Sequence, residues 1–278
     1  MAVKRHLSTH MNTNCFRNIT TGLTCALATL VAASLHAGPV TLKNPVVTNP
    51  LPAEGQGWWF RAAPYAWITA IEGDVGIGPL AGELDISMKD TLDTLDMGYM
   101  GVFELGHGRL SLGLDMVYGK TSDDYLAGGR LFRSFRYEQK QWIFTPFLAF
   151  NIVESERFKL DVFAGARITA LEGELTGRFV RGGELVASRD TDFVDPIVGA
   201  RAQVGLTDKL FVRLNGDVGG FDVSSELVWQ AFAGLGYQIT DSVGIAAGYR
   251  GLGVDYEKDG FAMDTVTHGP VVGLEVRF

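Results

Sequence analysis

Twelve charged residues lie on one face of successive alternating segments: Arg61, Glu104, Asp115, Asp161, Arg167, Asp195, Arg201, Arg213, Asp217, Arg250, Glu275 and Arg277. Six are guanidiniums and six are carboxylates. Such a set can neutralise itself as hydrogen-bonded ion pairs in a space too narrow for bulk water, or it can line a polar passage or hold a ligand. A neutralised interior is the expectation here, and the passage is the alternative.

Catalysis has fewer candidates. His6, His10 and His36 fall in the first 37 residues, which leaves His107 in a short turn and His268 in the last alternating segment. A hydrolase on a membrane rim needs a base beside its nucleophile or water. Only His268 qualifies, through Asp255 or Asp264, and the expectation is that the chain has no catalytic residue and is not an enzyme. The acidic residues Asp123, Asp124, Asp190, Asp192, Glu257, Asp259 and Asp264 match no calcium-loop spacing, so they read as a solvated charged rim. Gly216–Phe221 (GDVGGF) resembles a phosphate loop superficially, but no helix follows it. Its glycines fit a sharp strand bend, and RGGE at 181–184 fits the tip of a hairpin. Cys15 and Cys25 lie in the first 37 residues too, so the remainder can form neither a disulfide nor a cysteine metal site. No metal and no cofactor is expected.

These side chains must be positioned by strands. Apolar and polar residues alternate with period two from residue 58 onwards, and no window offers the roughly 18 apolar residues that a spanning helix needs. Strands are predicted at about 58–70, 98–106, 110–120, 141–152, 158–170, 195–206, 210–221, 227–239, 243–256 and 267–278. Tight turns fall at 106–109, 153–157, 207–209 and 240–242, and loops at 71–97, 121–140, 171–194, 222–226 and 257–266. Residues 71–97 read as an outer loop containing a Gly-rich turn, a short strand near 84–88 and a possible helical turn at 89–95. The pattern predicts an all-β, transmembrane, antiparallel up-and-down barrel of about ten strands. Eight or twelve are the alternatives, with 76–90 and 171–194 as possible extra hairpins.

The faces opposite the charges support this. Trp142, Phe144, Pro146, Leu148, Phe150 and Ile152 share a face, as do Leu160, Val162, Ala164, Ala166 and Ile168, and Val198, Ala200, Ala202 and Val204. None of these three faces carries a charge, as contact with hydrocarbon demands. Trp58, Trp229, Tyr237 and Phe278 fall near strand ends, where aromatic girdles sit. A soluble β-sandwich is the rival fold, and it would leave the opposing charges merely exposed.

The chain ends on GPVVGLEVRF (269–278), an extended strand with an aromatic terminus. It resembles the terminal signal read by the barrel assembly machinery, with Gly273, Val276 and Phe278 at the expected spacing, although Val271 replaces a usual polar residue. Residues 1–37 read as a secretory signal, with Lys4, Arg5 and Arg17 before an apolar core at 22–35. Residues 38–57, with four prolines and no periodicity, read as a periplasmic tether, and 58–278 as the barrel.

The formal net charge is −8, and loss of residues 1–37 would make it more negative, which argues against nucleic acid as a partner. The chain also resembles a group of uncharacterised proteobacterial outer-membrane β-barrel proteins. The resemblance rests on WFRAAPYAWITAIEGDVG (59–76), LDISMKDTLDTLDMGYMGVFE (84–104), DVFAGARI (161–168), DPIVGARAQ (195–203), GDVGGFDVSSELVWQ (216–230) and AAGYRGLGVDY (246–256), together with the terminal strand. It implies the outer membrane of a Gram-negative bacterium and transfers no site residue. The expected partners are outer-membrane lipid and lipopolysaccharide, with the assembly machinery and periplasmic chaperones during biogenesis. A monomer is expected. Its function is expected to be structural or surface interaction, with a porin-like narrow channel as the alternative.

Overall fold

Period-two alternation commits this chain to strands whose backbone groups must be bonded by neighbours, and the computed structural model satisfies that demand by closing the sheet on itself. It describes residues 57–77, 80–126, 132–180, 182–258 and 260–278. The expected signal segment and nearly all of the tether lie outside the described residues, as do Arg181 and Asp259.

The strands are β1 (Trp58–Trp67), β2 (Ala70–Ile77), β3 (Leu80–Ile86), β4 (Leu95–His107), β5 (Leu110–Leu126), β6 (Phe132–Glu154), β7 (Phe158–Phe179), β8 (Glu184–Gly205), β9 (Leu210–Gly220), β10 (Leu227–Gln238), β11 (Val243–Lys258) and β12 (Phe261–Arg277). Every pairing is antiparallel, and β1 to β4, β4 through β12 in sequence, and β12 back to β1 complete a ring. That ring is a closed ten-stranded barrel.

β2 is not an eleventh stave. The β1–β12 register runs from Arg61↔Arg277 to Trp67↔Val271, and the β2–β12 register resumes in step at Ala70↔His268 and ends at Ile77↔Phe261. β1 and β2 are therefore one long strand interrupted at residues 68–69, where the Ile68 N–H still donates to the Pro270 carbonyl at 3.0 Å. Backbones come very close at this break. A Cβ on Gly269 would lie 1.8 Å from the Ile68 carbonyl oxygen, and one on Gly73 (φ +142°) would lie 2.1 Å from that of Asp264. Only glycine tolerates either approach.

This corrects the reading of 71–97 as an outer loop. Its Gly-rich part is strand β2, which turns back into β3, and helix α1 (Met88–Thr94) then leads into β4. The helix starts at a capping box, with Ser87 and Asp90 each bonding the other's backbone N–H. The β1–β4 register stops at Pro64↔Gly101, so the stretch of β4 from Leu95 to Met100 pairs with β5 alone. The wall is notched there.

Two further expected loops are strands as well. Residues 121–140 and 171–194 continue the β5–β6 and β7–β8 ladders, whose registers reach Leu126↔Ser134 and Arg178↔Glu184. β6, β7 and β8 have 23, 22 and 22 residues, against 11 and 12 for β9 and β10. About half of such a length suffices to cross a bilayer. These three long strands, flanked by β5, therefore stand beyond the rest as a wall held by exposed pairs such as Lys140–Glu172 and Arg178–Glu184. The predicted 257–266 loop shrinks likewise, with β11 and β12 paired out to Lys258↔Phe261.

The outer surface of the ring is apolar, with Leu148, Phe150, Val162 and Val198 all exposed there. Trp58, Tyr237 and Phe278 are exposed at the tight-turn end. At the opposite boundary Tyr99, Tyr118, Trp142 and Phe144 form a row of ring contacts with centroids 6.0, 4.2 and 5.2 Å apart, the middle pair tilted. Trp229, the third residue of β10, lies near the opposite end of its strand, with its ring over Gly251 and Gly253 of β11.

Phe278 fastens the ring. Its N–H donates to the Phe60 carbonyl at 2.9 Å, its carbonyl accepts from the Phe60 N–H at 3.0 Å, and the two rings stack. Deleting Phe278 is expected to reduce assembly strongly, read as loss of heat-modifiable gel migration and of surface exposure in cells. A deletion variant that migrates and is exposed like the parent would refute this closing role.

Candidate functional site

The inward faces of the staves divide the interior into two charged layers and an apolar one. At the tight-turn end, β12 projects Glu275, whose carboxylate accepts from Arg213 Nη1 at 2.8 Å, Arg61 Nη1 at 3.2 Å and Arg277 Nε at 2.7 Å. β4 projects Glu104, 2% exposed, which accepts from Arg61 Nε at 3.1 Å, Arg201 Nη1 at 3.0 Å and the Ser111 hydroxyl at 2.6 Å. Arg201 also donates to Asp161 at 2.7 Å, and Asn151 donates to the other oxygen of that carboxylate at 2.7 Å. The Arg201–Glu104 bridge joins β8 to β4, with three staves between them on one side and five on the other. It crosses the barrel.

Higher up, Arg250 on β11 donates to Asp115 on β5 at 2.9 Å and to the Tyr65 hydroxyl at 2.6 Å, and Tyr65 donates to Asp115 at 2.7 Å. Its guanidinium lies 4.7 Å from the Trp67 ring centroid. Beside it, one nitrogen of Arg167 donates to both oxygens of Asp217 at 2.9 and 3.0 Å, and Gln230 accepts from Arg250 and Arg167. This layer joins opposite walls too. Asp195 stands apart: fully buried, it accepts from the N–H and the hydroxyl of Ser225 at 2.8 and 2.7 Å and ties the turn before β10 to β8.

Beyond that layer the interior becomes hydrocarbon. Trp67, Val117, Ile143, Phe193, Ile197, Val228, Leu252, Val254, Tyr256 and Phe261 are buried and packed together, with Phe193 and Tyr256 stacked at 4.5 Å. A cavity of about 680 Å³ lies among the charged layers, lined by members of both, such as Glu104 and Arg201 of one and Asp115 and Arg250 of the other, and framed at its mouth by turn residues such as Gly108, Asp241 and Ser242. It reaches the barrel's tight-turn end.

The structure thus brings eleven of the twelve singled-out charges into two bonded layers and gives Asp195 a separate role. The sequence reading missed the neutral members Ser111, Asn151 and Gln230, which carry no charge pattern to flag them. It also missed the apolar layer, although Phe193, Leu252, Val254 and Tyr256 share strand parity with Asp195 and Arg250. That shared parity was the available signal.

The His268 trio does not form. Its Nδ1 lies 2.6 Å from the Tyr249 hydroxyl and its Nε2 3.4 Å from Glu72, on the outside of the wall. Asp264 is four residues along the same strand, roughly 14 Å away at about 3.4 Å per residue, and it pairs in register with Asp255 and Asp74 instead. The expected solvated rim is partly a strand surface, since Asp123, Asp124, Asp190 and Asp192 are on β5 and β8, and Arg136 reaches Asp124 at 3.9 Å. Among the described residues no group of three or more His, Cys, Asp or Glu is arranged to hold a metal ion. GDVGGF ends β9 with Gly220, Phe221 and Asp222 at φ +91°, +52° and +60°, which is a sharp bend into a turn. At the β7–β8 tip, the Phe179 N–H donates to the Gly183 carbonyl at 3.0 Å.

Asp255 and Asp264 sit beyond the aromatic boundary marked by Tyr249. Partial burial, followed by the facing Asp264, Glu226 and Glu257, pushes the Asp255 carboxyl up to about 6. Burial and Asp74 raise Asp264. A carboxyl raised in the folded state costs stability as pH rises through its folded value, so this rim is expected to tighten when pH falls from 7 to 5. Asp264→Asn should lower the Asp255 value toward an ordinary carboxyl, read by carboxylate NMR titration; an unchanged Asp255 would remove the coupling. Glu104→Ala removes a carboxylate shared by two buried guanidiniums, leaving Arg61 with Glu275 and Arg201 with Asp161, and is expected to lower stability by about 3 kcal/mol, measured by denaturant titration of the folded-to-unfolded band shift.

No family model matches the sequence, and no curated protein matches it. Among solved structures, the outer membrane protease OmpT from Escherichia coli matches over 83% of this chain and 100% of its own, at 10% identity and a TM-score of 0.50. The translocator domain of the autotransporter NalP from Neisseria meningitidis covers 94% of this chain and 99% of its own at 12% identity, with a TM-score of 0.34. Ail of Yersinia pestis, in complex with sucrose octasulfate, covers 81% and 100% at 12% identity, also with a TM-score of 0.34. The OmpT likeness is one of fold: a bacterial outer-membrane β-barrel.

Proposed function

We propose that this chain is an outer-membrane β-barrel of a Gram-negative bacterium whose interior is closed to diffusion and whose function is structural or lies in surface interaction. The observation that carries the reading is the pair of cross-barrel bridges, Arg201–Glu104 and Arg250–Asp115, backed by the apolar layer around Phe193 and Tyr256. Solute moving along the axis would have to break both bridges and part that layer. A conducting pore keeps its polar residues on the wall with water between them.

Tight turns face the periplasm and longer hairpins the exterior in barrels of this kind, so the β5–β8 wall is the part presented outside. Its rows of exposed ion pairs contribute little stability, commonly no more than about 1 kcal/mol each, and they leave a broad polar surface suited to contact with lipopolysaccharide or other surface molecules. The resemblance to proteobacterial outer-membrane barrels supports the same location. The terminal strand supports insertion by the barrel assembly machinery, and the ring's closure within one chain is compatible with a monomer.

Purified, refolded protein in a planar bilayer is expected to be silent under conditions where the folded band is intact. Discrete, reproducible conductance steps absent from a misfolded control would overturn the closed reading, and reversal of Arg201 or Arg213 would then be the test of ion selectivity.

A further inference from the structure

Five guanidiniums and five carboxylates line the inner part of the cavity, and each is bonded to a group of opposite sign. Asp217, for one, is held from behind the lining by Arg167. Lys159, Glu154 and Asp241 frame the mouth and leave the lining as a whole with one negative charge. An anion would therefore be repelled at the mouth and find no guanidinium inside without a carboxylate. A cation would have to displace a guanidinium from its carboxylate. Either ion would be buried at a cost that the wall does not offset, so the lining suits an uncharged guest.

Glycines keep the space open. A Cβ on Gly113 would lie 2.1 Å from the ring of Phe147, one on Gly199 would lie 2.4 Å from that of Phe163, and one on Gly248 would lie 2.8 Å from that of Phe232. Each ring projects from one stave and lies over a glycine of the next, along the wall instead of across the lumen. All three rings line the cavity, with Ala63, Val102 and Val271 adding further apolar surface. The volume of about 680 Å³ is within the range of small-molecule sites, roughly 300–1,000 Å³.

One polar group on this wall has no use within the protein. Thr145 lines the cavity two residues from Phe147 on the same face of β6, is 6% exposed, and has a hydroxyl that no protein group bonds. Buried hydroxyls are normally bonded. This one turns about a single bond, Cα–Cβ, and a guest with a polar atom at that point supplies the missing partner.

We propose that this cavity binds a small uncharged amphiphile, an apolar ring carrying one hydroxyl or amide, which enters from the periplasmic side. Its ring lies along Phe147, Phe163 and Phe232, its polar atom bonds the Thr145 hydroxyl, and the charges around it stay paired with one another. The proposal rests on the barrel being closed beyond the cavity, which makes the site a terminus for the ligand and not a station on a path.

Isothermal titration of the refolded barrel in a neutral maltoside detergent tests it, with the heat of each probe entering protein-free micelles subtracted. The probes are benzyl alcohol, toluene, benzoate and benzylamine. Saturable binding of one benzyl alcohol per chain is expected, with both ions at least about tenfold weaker and toluene severalfold weaker. The near-isosteric Thr145→Val is expected to abolish the advantage of benzyl alcohol over toluene while leaving toluene binding unchanged. Gly113→Ala pushes the Phe147 ring off the wall and into the cavity, and is expected to weaken benzyl alcohol and toluene alike by about tenfold. Heat-modifiable migration verifies folding of both variants, and if Gly113→Ala does not fold, Thr145→Val and the order of the four probes decide. The proposal is overturned by an absence of saturable benzyl alcohol binding, by equal binding of toluene or of either ion, by a preference over toluene that survives in Thr145→Val, or by unaltered affinity in folded Gly113→Ala. Bilayer recordings of the same preparation separate the two readings: silence with no benzyl alcohol binding removes the site and leaves the closed barrel, whereas conductance removes the closed barrel itself.

Discussion

Hydrocarbon offers backbone N–H and C=O groups no partner, so a sheet can cross it only if its first and last strands find each other. Everything in this molecule follows from that requirement. β12 meets β1 through Phe278 and Phe60 at one end and continues in the same register along β2 at the other. Because the ring holds ten staves, its interior is narrow enough for side chains from opposite walls to touch. Glu104 can then be shared by arginines from β1 and β8, and Asp115 can meet Arg250 across the barrel. The charged layers are a consequence of closure at this diameter as much as of the residues that form them.

Much of this was legible in the sequence because lipid imposes a strict code on the wall it touches. From Trp142 to Phe150 every second residue must be apolar, and that alone located the strand, its faces and its turn. Beyond the row of Tyr99, Tyr118 and Trp142 the code changes. There the outer surface meets water and the inner surface must fill the barrel, so the apolar stripe switches sides. Asp255 and Asp264 point outward while Tyr256, Met263 and Phe261 point inward. A reading that follows one stripe loses the strand at the switch and records a loop, as happened at 121–140 and 171–194. In that region Lys120, Glu138, Lys140 and Glu172 hold the ladder by cross-strand charge pairing, a pattern that in a single sequence looks like ordinary loop polarity.

The site was less legible than the fold for a related reason. Parity along a strand tells which face a residue occupies but not its partner across the barrel, and the partner decides whether a carboxylate is shared, paired or capped. Asp195 has the same parity as its eleven companions, yet it ends on Ser225, a turn residue 30 positions away. His268 had acids within a few positions in sequence, yet its strand carries them up the wall and away while Tyr249 and Glu72 arrive from the neighbouring staves.

The interior is wet at one end and dry at the other. The cavity and the charged layers communicate with the tight-turn side, and the packed layer of Trp67, Phe193, Leu252 and Tyr256 stands between them and the opposite side. In electrical terms the barrel is a well with a dielectric floor. A voltage applied across the membrane would fall almost entirely over that thin apolar layer, and the arginines and carboxylates beneath it would stay close to the potential of the compartment into which the well opens.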